Sequence, residues 1–340
     1  MLAFACAGCG AVLTAKVSRV ELPDHAGQKY GHDLVPALLE PGTYTVDPGN
    51  GRPWRPETPE PEEGGVRLQT IHLDGPPGRI GLAPGDVRGT VVLTDRLGGC
   101  CCGWDGRYGP NLACAGCGGA VATRVDDCGC WQVVWLEPGA VRPVAVEGPV
   151  QRVMDWTELP GTPPVEPAGC WSPVWEAGIA AALAHLMVAS EGRRVTVPDG
   201  PVARAFRPAI DGLLPRGLPE RRLALAGPGV PDPVADLALV PRHPQTGAVW
   251  PGATAAAVPL AAGVWARLAF ADDRRLLLAS SRLPDGVRRD DPPPPLPRLP
   301  FRPDGRVFAG TLERLGATRE PWLRRIHDRV RDVPFEPPFG

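Results

Sequence analysis

Ala5-Cys6-Ala7-Gly8-Cys9-Gly10 and Ala113-Cys114-Ala115-Gly116-Cys117-Gly118 are the same six residues, met twice in one chain. Each copy runs on into a short apolar stretch ending in Thr: Ala11-Val12-Leu13-Thr14 and Ala120-Val121-Ala122-Thr123. A Cys-x-x-Cys-Gly knuckle leading into a strand offers two thiolates to one tetrahedral ion, and two further ligands must come from elsewhere. The repeat extends further. Leu39-Glu40-Pro41-Gly42 returns as Leu136-Glu137-Pro138-Gly139, each time ahead of β-forming residues, so knuckle, strand and turn occur twice in the same order. A duplicated zinc-binding β domain is the expectation.

Working outward, all of the 10 cysteines except Cys170 fall between Cys6 and Cys130. In a reducing compartment, spacing this tight indicates metal ligands rather than disulfides. A redox Cys-x-x-Cys pair would need a βαβ context, which Gly-rich turns do not provide. The knuckle cysteines Cys6, Cys9, Cys114 and Cys117 are ligands in every arrangement considered. In one they share a single ion. In another the second knuckle joins Cys128 with Cys130 or with one of Cys100, Cys101 and Cys102, and the first takes His25, His32 or the remaining cysteines. Cys128 and Cys101 are the next candidates, and Zn2+ is the expected cofactor. Cys130 and Cys170 are read as ordinary core thiols.

Composition bounds the rest. The 340 residues suggest about two domains. Gly 42 and Pro 44 imply many turns and linkers, and a net charge of -2 gives no broad attraction for nucleic acid or anionic lipid. The N-terminus lacks a basic, apolar secretory pattern, and the apolar stretch Ala177 to Ala189 is too short to span a bilayer. The expectation is a cytoplasmic protein, without membrane or nucleic-acid partners, that binds another protein.

Short runs of β-formers between Gly/Pro turns make residues 1–157 an all-β, zinc-ribbon-like domain. Strands are expected at 17–22, 43–46, 66–73, 87–94, 132–136, 141–146 and 150–156, with a Pro/Glu/Gly loop at 47–65. Residues 158–173 read as a Pro/Gly linker. Residues 174–283 read as a small α/β domain: a helix at 174–191 with Ser172 as N-cap, a second at 202–214 containing Pro208, a hairpin from 237 to 250, a helix at 259–271 and a strand at 275–280. A Pro-rich linker (284–305) and a C-terminal helix and tail (306–340), interrupted near Pro321, complete an α+β multidomain chain. No nucleotide-binding loop, nucleophile elbow or His-Glu-x-x-His motif is present. The alternatives to a binding protein are an enzyme with its site between the domains and a zinc-ribbon nucleic-acid binder.

Asn111-Leu112-Ala113-Cys114-Ala115-Gly116-Cys117-Gly118 with Val121 to Cys128, and Pro241-Arg242-His243-Pro244-Gln245-Thr246-Gly247, resemble hypothetical proteins of actinomycetes such as Streptomyces that carry Cys-x-x-Cys-Gly zinc knuckles. The resemblance implies an actinobacterial host and no particular reaction.

Overall fold

The computed structural model describes residues 2–28, 35–49, 75–99, 101–147, 153–167, 169–214, 220–270, 297–332 and 339. Both helices and sheets are present, and the chain forms two compact units, Met1–Val153 and Met154–Gly340.

In the first unit the described residues form strands and short 3-10 turns. The strands are β1 (Leu2–Cys6), β2 (Ser18–Arg19), β3 (Thr43–Val46), β4 (Ile80–Leu82), β5 (Thr90–Val92), β6 (Leu112–Cys114), β7 (Ala120–Val125), β8 (Val133–Leu136) and β9 (Val141–Ala145). β1 pairs antiparallel with β9, and the rest line up as β2-β3-β4-β8-β7-β6-β5, antiparallel except for β2 beside β3. Phe4, Leu13, Leu82, Leu112, Val121, Val134 and Leu136 form the core, with Cys6 and Cys114 among them.

β4 is absent from the sequence expectations because Ile80-Gly81-Leu82 is too short to show alternation. Its glycine is required by packing. A Cβ on Gly81 would lie 2.7 Å from the Trp135 ring. The opposite error concerns 150–156. Of that stretch, Val153 to Trp156 are described, and none is strand. Asp155 instead folds the chain into a turn, accepting from the Thr157 amide at 3.0 Å and the Thr157 hydroxyl at 2.7 Å. The expected strand at 66–73, and 47–65 beyond Gly49, lie outside the described residues.

The second unit is α/β. Its strands β10 (Arg194–Thr196), β11 (Glu220–Leu225), β12 (Leu237–Arg242) and β13 (Ala256–Ala261) form a parallel sheet in that order. Leu237 to Pro241 of β12 are all buried, as expected of a parallel strand covered on both faces. The helices are α1 (Pro173–Ser190), α2 (Pro201–Leu213), α3 (Ala262–Phe270), α4 (Gly305–Arg314) and α5 (Pro321–Asp332). α1 is apolar all round because it packs on β13 and also against α4. Its length and apolarity would suit a membrane span, yet most of it is buried in this core.

Three expectations need correction here. Residues 259–271 begin as strand, because Pro259 belongs to β13 at the sheet edge, where a missing N–H is tolerated; the helix starts only at Ala262. Residues 158–173 pack rather than merely link. Leu159 is buried, the Thr162 amide donates to the Gly263 carbonyl at 2.8 Å, and the Trp175 indole N–H donates to the Thr162 carbonyl at 2.8 Å. Residues 306–340 supply Val307, Phe308, Leu312, Leu323 and Val330 to the core that holds Trp175 and Phe206. Helices α4 and α5 are therefore part of this unit's interior.

Local rules explain the helix ends. Asp304 caps α4, its carboxylate accepting from the amides of Arg306 (2.8 Å) and Val307 (2.9 Å). Ser172 stands at the N-cap of α1, but its hydroxyl makes no capping bond; Pro173 at the first helical position sets the start. Pro208 is retained inside α2, on the helix's exposed side. The expected strand at 275–280 and most of 284–305 lie outside the described residues.

Candidate metal centre

The two knuckles are built alike, bond for bond. β1 delivers Cys6, and the chain reverses through Gly10 at φ +79°, whose amide donates to the Cys6 carbonyl at 2.9 Å. β6 delivers Cys114, and Gly118 at φ +75° donates to the Cys114 carbonyl at 2.8 Å. A residue with a Cβ rarely takes that left-handed turn, which is why a glycine follows each pair. The amides of Cys6 and Cys114 then donate to the carbonyls of Ala11 and Gly119, both at 2.8 Å. Ala7 donates to the Ala140 carbonyl just ahead of β9, and Ala115 to the Gly89 carbonyl just ahead of β5, both at 2.9 Å. Strand β9 is therefore to the first knuckle what β5 is to the second.

This pseudo-symmetry brings four sulfurs together. The Sγ atoms of Cys6, Cys9, Cys114 and Cys117 all lie within 4.8 Å of one another. The short contacts cross between copies: Cys6 to Cys117 at 3.6 Å and Cys9 to Cys114 at 3.6 Å. Four sulfurs at the usual ~2.3 Å from a zinc ion stand about 3.8 Å apart along each tetrahedral edge. The donor set and its spacing fit such an ion. In each copy the first cysteine is buried and the second exposed, so the cluster lies at the rim of the core.

The thiols influence one another strongly. The Cys9 backbone amide holds the Cys6 thiol down at about 7 against some opposition from burial. The Gly119 amide also favours the Cys117 thiolate, yet the neighbouring thiols Cys6 and Cys9 push Cys117 up to about 11.

A second group comprises Cys101, Cys102 and Cys128, also within 4.8 Å. Cys101 and Cys102 have Sγ atoms 3.3 Å apart. The hydrogen bond to Cys102 raises the Cys101 thiol, and the bond to Cys101 is the main cause that pushes Cys128 up to about 12.

The six predicted ligands thus fall into two sites. The arrangement in which the second knuckle takes Cys128 is corrected: main-chain pairing carries the knuckles to each other and leaves Cys128 with the 101–102 turn. Cys130 is buried and belongs to neither cluster. His25 is not a ligand of either cluster. Its ring lies 4.4 Å from the Trp131 ring, and burial lowers its pKa to about 4. His32 lies outside the described residues. His243 is buried as a turn residue, its Nδ1 accepting from the Gln245 amide at 3.1 Å while Nε2–H donates to the Met154 carbonyl at 2.9 Å. Sequence reasoning gave too little weight to Cys102 and overlooked Asp127, although Cys100-Cys101-Cys102 and Asp127-Cys128 stand out as runs.

Comparison with protein families, with curated proteins and with solved structures found no match for this chain.

Proposed function

We propose that this chain is a zinc-stabilised, cytoplasmic binding protein whose first unit is a duplicated, zinc-ribbon-like domain and whose partner is another protein. The observation that carries this reading is the convergence of Cys6, Cys9, Cys114 and Cys117 from two like-built knuckles. Four protein thiolates complete the shell of a tetrahedral ion and leave no position for water or substrate, the mark of a structural rather than a catalytic site. Supporting an interaction role, Val12 beside the first knuckle and Val91 on the terminal strand β5 expose about half of their surface (54% and 50%). The net charge of -2 favours a protein partner over nucleic acid.

X-ray absorption on the full chain with Cys101→Ser/Cys102→Ser/Cys128→Ser, which leaves the knuckles as the thiol cluster, loaded with one equivalent of zinc, tests the reading. The expected result is four sulfurs at about 2.3 Å. A shell containing oxygen or nitrogen would place the ion in the open, catalytic class and overturn it.

A further inference from the structure

The Cys101–Cys102–Cys128 cluster differs in kind from the four-thiolate centre. All three thiols are at least partly exposed, and among the described residues the cluster stops at three ligands. Its backbone is firmly set. Trp104 and Asp126 exchange main-chain hydrogen bonds at 3.0 and 2.7 Å, clamping the 101–104 turn to the segment bearing Cys128. The buried Asp127 carboxylate completes the clamp, one oxygen accepting from the amides of both Cys102 (2.8 Å) and Cys128 (2.9 Å). Gly103 lets the two segments approach this closely; a Cβ there would fall 1.9 Å from the Asp126 carbonyl oxygen.

Three sulfurs held about 2.3 Å from a thiophilic cation stand some 4 Å apart, within the spread found here. Beside them opens a cleft of about 280 Å³, lined by Cys102, Trp104, Asp127, Cys128 and Gln132. Two of the three cysteines, Cys102 and Cys128, line it. A preorganised three-sulfur face beside a polar cleft is the geometry of an ion with one coordination position left open.

We propose that Cys101, Cys102 and Cys128 form a second, exchangeable site for a soft d10 cation of the zinc class, bound through three thiolates with its fourth position open to a small exogenous ligand from the cleft. Binding releases the thiol protons to solvent, and no oxidant is required. Exposure makes the ion accessible to competitors, in contrast to a centre half-buried in the core.

The test uses the full chain, wild type and Cys101→Ser/Cys102→Ser/Cys128→Ser, reduced and reconstituted with Zn2+ or Cd2+ alone. Native mass spectrometry should count two ions on the wild type and one on the triple variant. Circular dichroism should be the same for both. A competing chelator should remove one ion from the wild type at least tenfold faster than the other. Added imidazole should shift the thiolate-to-cadmium absorption of the wild type and leave that of the variant unchanged. The single variant Cys102→Ser should weaken the second equivalent at least tenfold while keeping the fold, a check if the triple variant misfolds. Equal ion counts on wild type and a folded triple variant would overturn the proposal, as would an imidazole-insensitive second ion or a disulfide among these cysteines in place of metal. One ion on the wild type and none on the variant would uphold this site and remove the four-thiolate reading instead.

Discussion

The two units solve the same problem by different means. The second unit encloses most of α1, whose Trp175, Ile179, Leu183 and Leu186 are fully buried, in a core shared with the buried Phe206, Phe308 and Trp265. Burying side chains of this kind contributes about 1.5–3 kcal/mol each against chain entropy. The first unit has shorter strands and a smaller core among its described residues, and two of that core's members are the thiols Cys6 and Cys114. Its interior is partly made of thiols placed where they could hold a metal ion. The difference sets a part that packs around apolar side chains against a part whose folding, on the proposed reading, is coupled to an ion.

That contrast can be broken most forcefully at the knuckles. Replacing Cys114 and Cys117 by Ser removes half of the ligand set, and apparent structural zinc binding is on the order of 10–16 kcal/mol in small finger peptides. The first unit should unfold while α1 stays formed, seen as loss of β-sheet signal with retained helical circular dichroism. A cut in the second unit should have the reverse pattern. Phe308→Ala empties a fully buried site and is expected to cost about 3–5 kcal/mol, lowering the denaturant midpoint of the helical signal and leaving the zinc count unchanged.

Smaller changes sharpen the contrast. Gly81→Ala places a methyl against Trp135 and should destabilise the first unit by about 1–3 kcal/mol, which metal-saturated chemical denaturation would register. Glu176 gives the second unit a pH signature. Burial, aided by the charge of Asp304, raises its carboxyl to about 8. The folded state therefore keeps a proton that the unfolded state releases above about pH 4–5. The stability it provides is fully present below that pH, falls as pH rises and levels off above about 8. Glu176→Gln should abolish this slope, raising stability at pH 8 by roughly 2 kcal/mol once partial solvent contact is allowed for. Denaturant titrations of both proteins at pH 5 and pH 8 check the sign.

What could be read in the sequence was whatever lay in short range. Identical hexapeptides announced the knuckles, β-formers at Thr43–Val46 marked β3, and the apolar run after Pro173 marked α1. What could not be read was set by pairing across the chain. The sequence offered the grouping of Cys6, Cys9, Cys114 and Cys117 as one of two arrangements, and the choice between them depends on β9 and β5 serving as equivalent neighbours, which no local signal encodes. Pro259 looked like a helix start because its place in an edge strand depends on β12, well before it in sequence. Ile80-Gly81-Leu82 was too short to announce itself, and its glycine makes sense only once the Trp135 ring lies against it. Cys102 and Asp127 were visible as runs, but the turn that joins them becomes a site only through the bridge between Trp104 and Asp126.

The central claim is that an ion held by Cys6, Cys9, Cys114 and Cys117 maintains the first unit while the second stands without it. Hydrogen exchange on the full chain, measured before and after chelation under reducing conditions, addresses this most directly. The account predicts that amides of β1, β6 and β7 lose protection when metal is removed and that those of α1 keep theirs. Protection in β6 and β7 that survives complete removal of metal would contradict it.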